Sequence, residues 1–178
     1  MEPINNLRQL LIEFLKDRYD SECQQVELFP KLIQHIHSLQ LKNIIELCLD
    51  HAKRHIEKLE IIFTQLHSSS LGEICEGTLG LMSETDKFLT RIENPEVLDI
   101  AIITTIRELH SQDIAGYKAI MLYAHALGYY ELAQNLYEML QDEKNTGKLL
   151  KKVMRDTIMS HTSSNSYNEE ELDLDINY

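Results

Sequence analysis

The sequence has few of the residues that interrupt helices. Of its 178 residues, 3 are proline and 6 are glycine. β-Branched residues nowhere alternate convincingly with polar ones, as they would along a half-buried strand. Because proline and glycine mark turns and helix ends, their scarcity predicts a chain that is helical nearly throughout.

Positive charge is also scarce. The chain has 17 lysine and arginine residues against 29 aspartate and glutamate residues, which gives a formal net charge of -12. A nucleic-acid surface needs clustered lysine and arginine, so we expect no nucleic-acid partner. Segment 161–178 is polar and acidic, with too little apolar surface to offset the entropy of ordering it. We therefore predict a bundle domain over residues 1–160 and a disordered acidic tail over residues 161–178.

Long hydrophobic runs and paired cysteines are missing as well. No apolar run is long enough to span a membrane, and the chain opens on Met-Glu-Pro rather than on the basic residues of a signal peptide. Cys23, Cys48 and Cys75 form no Cys-x-x-Cys pair, and an odd number does not suit a disulfide framework. We expect reduced thiols in a cytoplasmic protein that has no membrane partner.

The apolar residues recur at helical spacing along four long segments. These begin and end at about Asn5 to Ser38, about Leu41 to His67, Asn94 to Gly128, and from near Tyr130 onward. Pro30 should kink the first segment, because proline removes a backbone donor and clashes with the preceding turn. The third has the clearest start, with Asn94 as N-cap and Pro95 as first helical residue.

The connections between these helices predict the topology. Short turns make the first and second helices antiparallel, and likewise the third and fourth. The longer connection between the two pairs contains a weakly helical segment from about Ile74 to Arg91, which has Gly77 and Gly80 inside it. One such crossover between the second and third long helices is typical of a ferritin-like bundle. The sequence therefore predicts an all-α, ferritin-like four-helix bundle with a crossover helix.

Ionisable side chains interrupt the apolar stripes near the middle of each long helix. They are Glu22, His51, His55, His110, Asp113 and Glu143. Such groups are costly to bury unless a partner or a metal compensates them. Three carboxylates and three imidazoles form the ligand set of a transition-metal site, and a bundle core is where such sites are built. We predict these six residues as metal ligands.

Each candidate also has an interpretation without a metal. Glu22 could lie at a helix edge with its carboxylate in water, the histidines could be hydrogen-bonded core residues, and His110 could pair with Asp113 or Glu143. In that alternative the imidazoles are buried and neutral. Acid should then destabilise the fold as they take up protons.

A series of short motifs runs in order between Leu7 and Val153. They are Asp20-Ser21-Glu22, Phe29-Pro30-Lys31-Leu32, His55-Ile56-Glu57-Lys58-Leu59-Glu60, Gly72-Glu73-Ile74-Cys75, Asp113-Ile114-Ala115-Gly116-Tyr117 and Asp142-Glu143-Lys144. In this order the series resembles the YciE/YciF family of ferritin-like bacterial stress proteins. The resemblance implies a homodimeric helical bundle, a di-iron centre, and a role in the stress response.

The chain also departs from the pattern that this resemblance implies. Glu22, His55 and Glu143 match it. Relatives usually place three glutamates and an aspartate where this chain has His51, His110, Asp113 and Gly147. Fewer carboxylates leave less negative charge to compensate two divalent ions, so one or two iron ions, zinc, or no metal are the alternatives. The function predicted is a metal-binding, stress-associated protein, ferroxidase-like if iron is bound; the alternative is a metal-free helical scaffold or binding module.

Overall fold

The computed structural model describes residues 3–162, which form five α-helices and no strand. The helices are α1 (Leu7–Ile33), α2 (Leu39–Gln65), α3 (Glu76–Arg91), α4 (Pro95–Ala126) and α5 (Tyr130–Thr162). The predicted all-α bundle with a crossover helix is confirmed. Within residues 3–162, no helix is long and apolar enough to cross a bilayer. Residues 163–178, which make up most of the predicted tail, lie outside the described residues, so the tail stays a prediction.

Side-chain caps fix where three of the helices begin. Asn6 caps α1, Ser38 caps α2 and Asn94 caps α4. The Asn94 side-chain oxygen accepts hydrogen bonds from the backbone N–H groups of Glu96 and Val97, at 3.0 and 3.1 Å. These bonds satisfy backbone donors that have no partner within the helix. The predicted start of this helix is therefore confirmed.

Pro30 lies close to the end of α1 rather than in its middle. The helix ends at Ile33, before the predicted end at Ser38. After the proline the chain tightens, because the N–H groups of Gln34 and His35 bond to the carbonyls of Lys31 and Leu32 with 3₁₀ spacing. The proline thus falls in the last turn of the helix, and α2 begins after a short connection.

The four long helices pack as two pairs that contact each other. α1 packs on α2 and α4 packs on α5, while α1 also contacts α4 and α2 also contacts α5. Helix α3 crosses from one pair to the other and packs on α4 and α1. Because α2 and α4 both begin at the same end of the bundle, a long connection must join them. The predicted crossover is a continuous helix, even though it contains two glycines.

The apolar core is divided into two clusters, one toward each end of the bundle. One contains Leu28, Phe29 and Leu32 of α1 with the first halves of α2 and α4. The other contains Leu11 and Leu15 of α1 with the second halves of α2 and α4. Buried polar side chains from α1, α2, α4 and α5 lie between the two clusters. This layer, which we call the polar layer, positions the candidate site.

Apolar spacing along α1 predicts that Tyr19 and Val26 are buried, but in the middle of the helix the buried face is shifted by one residue. Tyr19 and Val26 are half-buried, whereas Arg18 and Gln25 are each only 3% exposed. An arginine therefore lies inside the bundle beside Glu22.

Gly116 on α4 makes room for this arginine. A β-carbon at position 116 would approach Cδ of Arg18 to 2.8 Å and Nε to 3.0 Å. These contacts are too close for the guanidinium to stay where it is, and the arginine is buried on all sides. The glycine thus permits close packing of α4 against α1.

We predict that Gly116→Ala lowers the free energy of unfolding by roughly 1–3 kcal/mol, because the added methyl overpacks a buried site. The matched control is Gly80→Ala in α3, where a β-carbon would meet no atom within 4 Å. That control should stabilise the protein by roughly 0.5–1 kcal/mol through helix propensity. Urea unfolding of both variants checks this. Equal effects of the two substitutions would show that Arg18 does not depend on the glycine.

Candidate metal centre

Three side chains of the polar layer bring one ligand atom each to a common point. Glu22 of α1, His55 of α2 and Glu143 of α5 offer atoms that all lie within 4.8 Å of one another. The His55 Nδ1 atom lies 3.0 Å from Oε1 of Glu22 and 3.6 Å from Oε1 of Glu143. All three residues are buried. Two carboxylates and an imidazole are a donor set that suits divalent transition metals.

Asp142 contacts the opposite edge of the His55 ring. Its Oδ2 lies 3.4 Å from His55 Nε2, and its side chain is 33% exposed. A carboxylate in this position holds a proton on Nε2 and leaves Nδ1 to face the glutamates. Asp142 therefore orients the only imidazole among the three converging residues.

Tyr117 orients the first carboxylate. Its hydroxyl donates a hydrogen bond of 2.5 Å to Oε1 of Glu22, and its ring lies edge-on to the His55 ring with centroids 5.7 Å apart. Burial and the Glu22 carboxylate both raise the pKa of the Tyr117 hydroxyl well above its usual range. The hydroxyl thus keeps its proton and remains a donor.

The carboxylates control the charge of His55. Burial lowers the pKa of this imidazole, but Glu22, Asp142 and Glu143 outweigh burial and raise the pKa to about 10. In the absence of a metal, His55 is therefore an imidazolium at neutral pH. The expectation that buried neutral imidazoles would make the fold acid-sensitive is wrong for His55. It holds for His51 alone among the histidines of the polar layer, since burial lowers the pKa of that ring.

His110 pairs with Glu143 beside the three converging residues. Its Nδ1 is in ion-pair contact with Oε2 of Glu143, although the contact lacks the direction of a hydrogen bond. Its Nε2 lies 3.5 Å from the Cys48 sulfur. Burial opposes protonation, but Glu143 raises the pKa of His110 well above its usual value, and His110 in turn lowers the pKa of Glu143 against the effect of burial.

Asp113 lies in a separate group between α1 and α4. It forms a buried ion pair with Arg18 and accepts a hydrogen bond of 2.9 Å from Gln25. Burial raises the pKa of Asp113 to about 7, and the Arg18 guanidinium opposes that rise. The carboxylate is not among the ligand atoms that meet at the common point.

His51 also lies outside the group of converging ligand atoms. Its Nδ1 is 3.3 Å from the Thr146 hydroxyl, and its ring centroid is 6.1 Å from that of His55. The structure thus brings together Glu22, His55 and Glu143 of the six predicted ligands. It gives His51, His110 and Asp113 other partners beside them.

Two charged residues that contact the predicted ligands, Arg18 and Asp142, were not predicted as part of the site. Arg18 falls in the buried register Leu11, Leu15, Arg18, Glu22, so its spacing was a usable signal. Asp142 carried no such signal, because it lies beside the stripe residue Glu143 and is partly exposed. Only the fold shows that it reaches His55.

Comparison with known proteins confirms the resemblance seen in the motifs. The model of a family described as a domain of unknown function, DUF892, matches residues 6–163. The chain is 25% identical over 144 residues to Protein YciF of Escherichia coli (strain K12), covering 80% of this chain and 87% of that protein.

Solved structures share the fold. YcfI from Rhodopseudomonas palustris is 27% identical with a TM-score of 0.81, covering 84% of this chain and 96% of that one. The E. coli stress protein YciF is 24% identical with a TM-score of 0.83, covering 87% and 98%. A ferritin-like, diiron-carboxylate protein from Bacillus anthracis is 16% identical with a TM-score of 0.66, covering 85% and 99%. The last two show the fold alone, which confirms the predicted ferritin-like bundle.

We predict that the metal-free protein loses stability as the pH rises. The pKa of His55 is raised from 6.5 to about 10, so its contribution is fully present below about pH 6.5 and disappears as the pH rises through about 10. The slope for one proton is at most about 1.4 kcal/mol per pH unit. Urea unfolding in EDTA between pH 7 and 9 measures it. His55→Gln should flatten the slope, whereas the exposed control His125→Gln should not; an unchanged slope in His55→Gln would contradict the assignment.

Proposed function

Because the chain belongs to the DUF892 family and is a relative of YciF, we propose that it is a ferritin-like protein that binds a divalent metal ion. The ligands are Glu22, His55 and Glu143. The single observation that carries the proposal is the meeting of their ligand atoms, within 4.8 Å of one another, in the polar layer.

Burial supports a cation at this point. Glu22 is 1% exposed and Glu143 is 4% exposed, so water solvates neither carboxylate. A buried carboxylate is costly unless a positive charge compensates it, and a divalent ion at this point compensates both. Leu15, Leu28 and the two clusters around them keep bulk water away from the site.

Iron is the ion that we propose first. Carboxylates with an imidazole suit Fe(II), and the fold is shared with a ferritin-like, diiron-carboxylate protein. Zinc is the alternative, because imidazole is also a common zinc ligand. Bound iron would supply ferroxidase-like chemistry, the oxidation of ferrous iron by oxygen or peroxide.

The chain's own residues hold the ligands in place for such chemistry. Asp142 accepts the Nε2 proton of His55 and so directs Nδ1 toward the centre. Tyr117 keeps its proton and fixes one oxygen of Glu22. To bind a cation at Nδ1, His55 must release its second proton, so we expect metal affinity to rise with pH.

The setting of the protein is proposed from its relatives and from its cysteines. An association with stress follows from the name of one relative, the stress protein YciF. The free thiols of Cys23, Cys48 and Cys75 suit a reducing, cytoplasmic compartment. A homodimer is proposed from the family resemblance.

One observation favours a second candidate function, a metal-free scaffold or binding module. His55 lies 3.0 Å from Glu22 and His110 contacts Glu143, so imidazolium groups already compensate both carboxylates. A scaffold of this kind would show the same melting temperature with and without EDTA. A metal-bound protein would be destabilised by the chelator.

We predict that protein purified without chelators contains metal, and that His55→Ala lowers its affinity for Fe(II) by about 100-fold or more. Losing a ligand should lower the metal affinity at least as much as losing a residue that hydrogen-bonds to a ligand, which lowers it roughly 10–100-fold. Elemental analysis and anaerobic Fe(II) titration measure this, with exposed His125→Ala as the matched control. If the purified wild type contains no metal and takes up no Fe(II), the proposal is contradicted and the metal-free scaffold is favoured.

Asp142, which contacts His55 on the side away from the glutamates, gives a further prediction. Asp142→Asn should weaken Fe(II) binding by roughly 10–100-fold, because the amide stabilises the His55 tautomer less well than the carboxylate does. Asp156→Asn, on the exposed face of the same helix, is the control and should bind as the wild type does. Identical titrations for the two variants would remove Asp142 from the site.

A further inference from the structure

We infer that the centre holds one divalent cation rather than two, because His110 and Arg18 engage the carboxylates that a second cation would need. The inference rests on the proposed function and names the stoichiometry of the same site. It departs from the dinuclear arrangement of ferritin-like bundles, which takes a glutamate from each of two helices and a Glu-x-x-His pair from each of the other two.

The second oxygen of Glu143 is in ion-pair contact with an imidazole. Its Oε1 faces His55 at 3.6 Å, whereas Oε2 contacts His110 Nδ1. To bridge two cations, a carboxylate must present one oxygen to each. The His110 ring cannot turn away freely, because it is 5% exposed and its Nε2 faces the Cys48 sulfur at 3.5 Å. The imidazole thus stands on the side of Glu143 where a second cation would bind.

Asp113, the carboxylate on α4, already has protein partners for both of its oxygens. Asp113 Oδ1 contacts Arg18 and lies 3.4 Å from the Ser21 hydroxyl, and Oδ2 accepts a hydrogen bond from Gln25. Asp113 is 1% exposed and Arg18 is 3% exposed. A guanidinium cannot lose its proton in a protein, so Arg18 supplies a permanent positive charge to Asp113. This carboxylate needs no cation.

The neighbouring positions on α2 and α5 supply no carboxylate that could serve a second cation in place of Glu143 and Asp113. His51, one turn before His55, contributes an imidazole whose Nδ1 lies 3.3 Å from the Thr146 hydroxyl. Thr146 stands where α5 would carry the histidine of a Glu-x-x-His pair, and Gly147 follows it with no side chain. Asp142 is turned to the outer edge of His55.

The charges lead to the same stoichiometry. The carboxylates of Glu22 and Glu143 balance one divalent cation when His55 binds it as a neutral ligand and His110 is neutral as well. A second divalent cation would leave a buried excess of positive charge, because the remaining buried carboxylate, Asp113, is already paired with Arg18. Buried charge without compensation is strongly unfavourable.

The test is the number of ions bound by the full-length protein. Anaerobic titration with Mn(II) and with Fe(II), followed by elemental analysis of the gel-filtered protein, should give one ion per chain. The Mn(II) form should show the electron paramagnetic resonance spectrum of an isolated ion. Two ions per chain, or an exchange-coupled spectrum, would overturn this inference while the proposed function stands. No bound ion would overturn the proposed function itself.

A substitution tests the part played by His110. His110→Glu restores a carboxylate beside Glu143 and should raise the stoichiometry from one Mn(II) to two, with an exchange-coupled spectrum. The matched control His125→Glu adds the same charge on the exposed face of α4 and should stay at one. A folded His110→Glu protein that still binds one ion would contradict the role given to His110. Should the variant fail to fold, the wild-type stoichiometry and spectrum still decide the inference.

Discussion

The compensation of buried charge is the constraint on which this structure depends. Carboxylates from α1, α4 and α5 lie in the polar layer, where Glu22, Asp113 and Glu143 are all nearly inaccessible to water. Each must have a positive partner at close range. The helices meet these demands by bringing His55, His110 and Arg18 from three different elements into the same layer. The apolar clusters above and below hold these elements in register, so the position of every ligand follows from packing on both sides.

The buried carboxylates of this layer are compensated in two ways, which differ in whether the positive group can give up its charge. Arg18 closes off Asp113 with a permanent charge, and Gly116 provides the space in which the guanidinium lies. His55 compensates Glu22 with a charge that it can give up, since an imidazole can release its proton to make way for a cation. One part of the layer is therefore structural, and the other part is where we propose that a metal replaces protons. In that proposal the bundle keeps the ferritin-like architecture, and Arg18 limits where a cation could bind.

Much of the fold could be predicted from the sequence because its signals are local. The N-cap Asn94, the turn at Gly128 and the apolar spacing of the long helices depend on neighbouring residues, and the structure follows them. The mid-helix positions of Glu22, His55 and Glu143 were also readable, because they interrupt apolar stripes. What could not be predicted is how the polar residues divide into partners. That division depends on the rotation of α1, which buries Arg18 instead of Tyr19, and on the reach of Asp142 across to α2. The spacing of Leu11, Leu15, Arg18 and Glu22 was a signal for the first, whereas the second depends on how two helices pack and is not encoded in spacing along a single helix.

We propose that Glu22, His55 and Glu143 together hold a cation. An anomalous-difference map from crystals grown without chelators, with data collected on both sides of the iron and zinc absorption edges, would locate that cation. If these residues hold a cation, the map has one peak per chain between the three side chains, and the edge at which the peak appears identifies the element. A map with no peak in the polar layer, while His55 still lies against Glu22, would show that these side chains compensate one another without a cation.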